Sequence, residues 1–151
     1  MKTLSSSGEL ASIHKRLALL DPADSPLWGS MSANQMLCHL RDAFRCPLGE
    51  RVPPRFKANA LPAPVFKWLA LWLPLKWPPG VRTPPEADQQ IGGTPPIEFE
   101  ADRTTLVAKM DQFAQSSGPW SPHPMWGHMT TAEWMRWGYL HTDHHLRQFG
   151  R

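Results

Sequence analysis

Apolar residues recur at the three-to-four spacing of an α-helix in four stretches of the chain, and no stretch alternates convincingly with the period of two that a half-buried strand requires. The first stretch, about Ser7 to Leu20, keeps Leu10, Ile13, His14, Leu17 and Leu20 on one stripe and is stopped by Asp21-Pro22. The second, about Ser32 to Cys46, groups Met36, His39, Leu40 and Ala43, with Gln35 and Asp42 beside them, and ends before Pro47. The third, about Asp102 to Ser117, turns Leu106, Met110, Phe113 and Ala114 inward and ends at Gly118-Pro119. The fourth begins at Thr130 and runs towards the C-terminal end. A few residues at Ile97-Glu-Phe-Glu100 are the one candidate for extended structure.

Two of these helices start on the same plan. Residues 28–39 and 126–134 both read Trp-Gly, then Met, then a hydroxyl residue, then Gln or Glu three positions on. This is a capping box, in which Ser32 or Thr130 accepts from the amide three residues later and Gln35 or Glu133 reaches back. Met31 pairs with Met36, and Met129 with Trp134, in the spacing of a hydrophobic staple. The likeness is explained either by two well-made helix starts or by a pseudo-repeat of two helix pairs.

Between the second and third helices, residues 47–98 hold 12 of the chain's 17 prolines, so regular structure there is confined to a short helix over about 64–73. A connection this long in a small domain is usually functional or covering. Its tryptophans, Trp68, Trp72 and Trp77, point to packing, and the 61–77 segment is expected to cap the other helices or to form a subunit contact. At 151 residues the chain is read as one domain, residues 1–151, large enough for a real core.

Candidate chemistry concentrates at the C-terminal end, where residues 141–151 carry three of seven histidines. At about 100° per residue, with Trp134 at zero, His141 falls near 340°, His145 near 20° and Gln148 near 320° on the inward stripe, whereas His144 lies near 280°. Arg136, Asp143 and Arg147 fall on the opposite side, where solvent is expected. His141 and His145, four apart, have Cβ atoms roughly 5–6 Å from one another on one face, so both imidazoles can reach one ion. His39 is a lone histidine on an apolar stripe, ordinarily a core residue. Opposite an inward pair it becomes the natural third ligand. His14 fits a rim position, and Asp42, three after His39, is read as a solvated carboxylate or as a group orienting an imidazole.

Lys and Arg total 16 against 13 Asp and Glu, a small excess without a basic run interleaved with aromatics, which argues against nucleic-acid binding. Cys38 and Cys46 would lie about 12 Å apart along one helix, too far for a disulfide. Reduced thiols and the lack of a signal-like apolar stretch after Met1 lead us to expect a cytoplasmic protein. Val65–Leu75 is interrupted by Lys67 and Pro74 and is shorter than the roughly 20 residues that span a bilayer. A surface-bound membrane role for residues 65–77 is the weakest of the readings.

With Asn34-Gln35-Met36-Leu37-Cys38-His39 on the second helix and His141-x-x-x-His145-x-x-Gln148 on the fourth, the chain resembles the DinB-like (YfiT-like) metalloprotein superfamily. Trp126-Gly-x-Met, Glu133-Trp134 and the closing His-x-Asp-His-His-Leu-Arg-Gln-Phe resemble a subgroup catalogued only as a domain of unknown function. The resemblance implies an all-α, up-down-down-up four-helix bundle with His39, His141 and His145 around a divalent metal. Among relatives are transferases of low-molecular-weight thiols and a mycothiol-dependent isomerase. Where relatives often read His-His-Arg-Gly-Gln, this chain has His144-His145-Leu146-Arg147-Gln148, and its 47–98 crossover is longer and richer in proline.

Three neutral histidines leave coordination positions free, as in catalytic rather than structural sites, and they suit zinc or nickel. The expected function is that of a metal-dependent transferase or hydrolase, with a small molecule such as a low-molecular-weight thiol as substrate and a homodimer as one arrangement. A metal- or ligand-binding, stress-associated protein without turnover is the alternative. No Ser-His-Asp order, glycine-rich phosphate loop or inward carboxylate pair supports other chemistries.

Overall fold

The computed structural model describes residues 1–56, 62–80 and 83–151. Among these the protein is all-helical: α1 spans Ser7–Ala18, α2 Ala33–Arg45, α3 Ala63–Trp72, α4 Phe99–Gln115 and α5 Thr131–Gln148, with one 3-10 turn at Pro85–Ala87. Both expected capping boxes form, on Ser32 with Gln35 and on Thr130 with Glu133. Gly29 and Gly127 take φ of 76° and 67°, so the Trp-Gly pairs ahead of these helices are left-handed turns that glycine adopts without a Cβ clash. Trp28 is half-buried and Trp126 buried.

The extended segment considered at 97–100 is instead a helix start. Glu98 caps α4 by accepting from the amides of Glu100 (3.1 Å) and Ala101 (2.8 Å), and the Ile97 amide donates to Asp102 Oδ2 at 2.9 Å. Alternating Glu-Phe-Glu reads as a strand because the cap uses a glutamate rather than the commoner serine or aspartate.

One apolar core joins all five helices, with Ile13, Leu17, Met36, Leu40, Phe44, Leu71, Leu106, Met110, Phe113 and Leu146 fully enclosed. The α2–α4 contact is the most extensive, while α5 touches α1, α2 and α3. Ten of the eighteen residues of α5 are buried, so it is covered on more than one side. This corrects the expected solvent face. Arg136 is buried, donating through Nε to the Leu71 carbonyl (2.9 Å) and through Nη1 to the Lys2 carbonyl (2.8 Å). Asp143 accepts from Arg16 of α1 (2.8 Å) and from Arg147 (2.9 Å), and all three are half-buried. The end of α3 and the N-terminal residues lie over the side that periodicity alone assigns to water.

Within the covering segment, Leu71 is fully buried and Phe66, Trp72 and Trp77 pack against the core, whereas Trp68 stays 56% exposed. Leu61, at the start of the expected cap, lies outside the described residues. Among the described residues no helix is long and apolar enough to cross a membrane. Cys38 and Cys46 are free, and burial pushes their thiols up to about 12 and about 11.

Candidate metal centre

The α2 stripe and the C-terminal half of α5 bring His39, His141 and His145 together, one ring nitrogen from each lying within 4.8 Å of the others. Ring centroids are separated by 5.3 Å (His39–His141), 4.7 Å (His39–His145) and 4.9 Å (His141–His145), all edge to face. His39 Nε2 and His141 Nε2 are 3.4 Å apart. Two nitrogens bound tetrahedrally to one ion at about 2.0–2.1 Å would sit roughly 3.3–3.4 Å apart, so this pair already has a ligand-like separation. His39 and His145 are buried and His141 half-buried, so solvent reaches the cluster at His141.

Hydrogen bonds behind the rings decide which nitrogen each presents. His39 Nδ1 lies 3.1 Å from the Ala87 carbonyl, which can only accept, so the proton is on Nδ1 and the Nε2 lone pair faces the cluster. His145 Nδ1 lies 2.9 Å from Gln148 Oε1. The Gln148 amide is itself oriented, because its Nε2 donates to the Trp28 carbonyl at 2.7 Å, which leaves Oε1 to accept from His145. A Cβ on Gly29 would stand 3.0 Å from that Gln148 nitrogen, so the glycine also keeps the loop close enough for the contact. Such outer bonds fix tautomer and ring angle in metal sites. His141 Nδ1 is buried without a partner.

The electrostatics keep all three rings neutral. Burial lowers the pKa of His39, and burial followed by repulsion from neighbouring histidines holds His141 and His145 well below the usual imidazole value. The His39 Nε2 lone pair faces His141 Nε2 at 3.4 Å, a separation that suits either an N–H donated by a neutral His141 or an ion shared by the two nitrogens. The trio could therefore hold a metal ion, and it contains no carboxylate to offset the ion's charge.

His144 lies outside this cluster, as helical phasing predicts, and so does His123, in the loop before α5. His144 is half-buried between Trp28 and Trp77, at ring distances of 5.7 and 6.3 Å. Trp77 also lies 6.3 Å from His141, tied by an Nε1–H bond of 2.8 Å to the Ala70 carbonyl. His123 stacks on Trp126 at 4.2 Å, and burial pushes its pKa down to about 3. His14 is a rim residue beside Asp111, at 3.2 Å.

Asp42 is neither solvated nor bonded to an imidazole. It is buried and accepts from the Thr94 amide and hydroxyl, both at 2.8 Å. Sequence reasoning misses the Ala87 and Trp28 carbonyls, because backbone acceptors carry no residue-type signature. A described groove of about 350 Å³ lies elsewhere, between α2 and α4, lined by Arg41, Arg45, Glu50, Thr105 and Lys109.

Residues 9–151 match the family described as "Protein of unknown function (DUF1569)", and the chain belongs to it. No curated protein and no solved structure matches it.

Proposed function

We propose that this DUF1569 protein is a divalent-metal-dependent enzyme, its ion held by the Nε2 atoms of His39, His141 and His145, with zinc or nickel the best suited. The observation that carries the reading is the convergence of three neutral imidazoles, two with tautomers fixed from behind. The DinB-like kinship and the up-down-down-up four-helix arrangement suggested by the sequence belong to the same proposal. Such an ion supplies Lewis acidity, lowering the pKa of a thiol or water beside it. Three uncharged ligands would leave the ion's full charge to favour an anionic fourth ligand, which a small thiol supplies as thiolate.

Within this reading, His39 and His145 would hold the ion through Nε2, because Ala87 and Gln148 hold their Nδ1 atoms. Trp77 and Trp137 lie beside His141, at ring distances of 6.3 and 5.0 Å. The reaction class is addition of a thiol across an electron-poor double bond, or displacement of halide from carbon. In addition, a carbon–sulfur bond replaces the π bond and the thiol proton ends on the adjacent carbon. In displacement, halide leaves with the carbon–sulfur bond formed and the proton passes to solvent.

Elemental analysis of protein prepared without a histidine tag is the first test, with about one ion per chain expected. Activity with glutathione or cysteine and a maleyl-type or halogenated acceptor should vanish with chelator and return with metal. His39→Ala should abolish it while the helices stay folded. A second reading is metal binding without turnover. Stoichiometric metal with no turnover across that panel would select it.

A further inference from the structure

The Ala87 carbonyl that sets the His39 tautomer is delivered by the proline-rich crossover, and Asp42 of α2 together with Arg51 at the start of the crossover clamps that turn. Arg51 Nη2 donates to two carbonyls of the same turn, Gly92 at 2.7 Å and Glu86 at 3.1 Å, and Nη1 reaches Thr94 Oγ1 at 3.4 Å. Asp42, buried one turn of α2 beyond His39, accepts from Thr94 twice at 2.8 Å and lies 3.4 Å from Arg51. The turn closes on itself through Gly92 N–H to the Pro85 carbonyl (3.0 Å) and Ala87 N–H to the Pro84 carbonyl (2.9 Å). Ala87 is therefore flanked by fixed points: its neighbour Glu86 is held by Arg51, and Thr94 is held by Asp42.

We propose that Arg51 and Asp42 are positioning residues of the metal centre, holding the 85–94 turn so that the Ala87 carbonyl keeps His39 protonated on Nδ1 with Nε2 free for the ion. This rests on the metal-binding reading for its consequence, but not for its geometry. A planar guanidinium bridging two carbonyls and a carboxylate is a fork that an ammonium cannot reproduce. Loss of such an outer partner typically costs metal sites 10- to 100-fold in affinity. The long crossover, otherwise a peculiarity of this chain, then has a function as the outer shell of one ligand.

The test uses the full chain. Long-range proton–nitrogen NMR of the metal-free protein reads the His39 tautomer, and competition with a chromophoric chelator reads zinc affinity. The parent should show a single Nδ1–H form. Arg51→Ala should give a tautomer mixture and zinc binding weakened at least tenfold, with the metal-free denaturation midpoint near the parent's. Arg51→Lys should fall between, and Asp42→Asn should mix the tautomers in the same way. An unchanged tautomer in Arg51→Ala with zinc affinity within twofold of the parent overturns the proposal. So does an affinity loss accompanied by general spectral broadening, which marks loss of structure rather than of positioning. Tautomer mixing in the variant, with no zinc bound by the parent, supports the positioning role and instead overturns the metal reading.

Discussion

A neutral imidazole can offer its lone pair from either nitrogen, and at His39 and His145 the choice is made by what lies behind the ring: the Ala87 carbonyl and the Gln148 side-chain oxygen. The inward phase of His141 and His145 follows from counting along a helix that begins at Thr130. Replacing either with Ala should therefore strip most bound metal, whereas His144→Ala and His123→Ala should leave it in place, as read by metal-to-protein ratio after gel filtration. Metal lost from His144→Ala but kept in His141→Ala would show that a different nitrogen set holds the ion. The three clustered histidines are legible in sequence because side-chain identity and helical phase suffice to place them. Their orientation is not legible, because it depends on a carbonyl 48 residues along the chain from His39 and another 120 residues from Gln148.

At the scale of elements, the capping boxes locate two helix starts, since each uses side chains within four residues of the cap. What periodicity leaves out is how many neighbours a helix has. α5 shows one strong apolar stripe, yet α1, α3 and the N-terminal residues also pack on it, so Arg136 is buried against carbonyls instead of exposed. The crowding on α5 shows at Gly138, where a Cβ would lie 2.8 Å from Leu4 Cδ1, 3.0 Å from Phe113 Cε1 and 3.2 Å from Phe44 Cε1. Glycine mid-helix costs about 1 kcal/mol of propensity relative to alanine, a cost the close packing offsets. Gly138→Val restores little propensity and overpacks Leu4, Phe44 of α2 and Phe113 of α4, so it should destabilise the fold by about 1–3 kcal/mol in urea titration. An unchanged midpoint would mean that the Leu4 side chain simply swings aside and that the N-terminal residues are loosely held.

For the molecule as a whole, the same burial that keeps the centre neutral makes folding sensitive to acid. An unfolded histidine titrates near 6.5, whereas His123 in the fold is held at about 3 by burial, with Nδ1 accepting from the Met125 amide at 3.2 Å. Below pH 6.5 the unfolded chain therefore binds protons that the folded one refuses, and stability falls as pH falls, continuing down towards pH 3. At pH 5 the deficit from His123 alone is about 2 kcal/mol, from roughly 1.4 kcal/mol per pH unit over the interval below 6.5. His39, His141 and His145 are lowered in the same direction and add to it, and a bound ion would be displaced as they protonate. His123→Asn keeps an acceptor for the Met125 amide without a titrating group. Denaturant titrations of the metal-free proteins at pH 7 and pH 5 should show the variant losing about 2 kcal/mol less than the parent between the two. Equal losses would remove His123 from the account and leave the acid sensitivity to the other groups lowered in the fold, among them His39, His141, His144 and His145. A stability that rises on acidification would contradict buried neutral histidines altogether, since only groups held above their unfolded pKa can stabilise the fold in that direction.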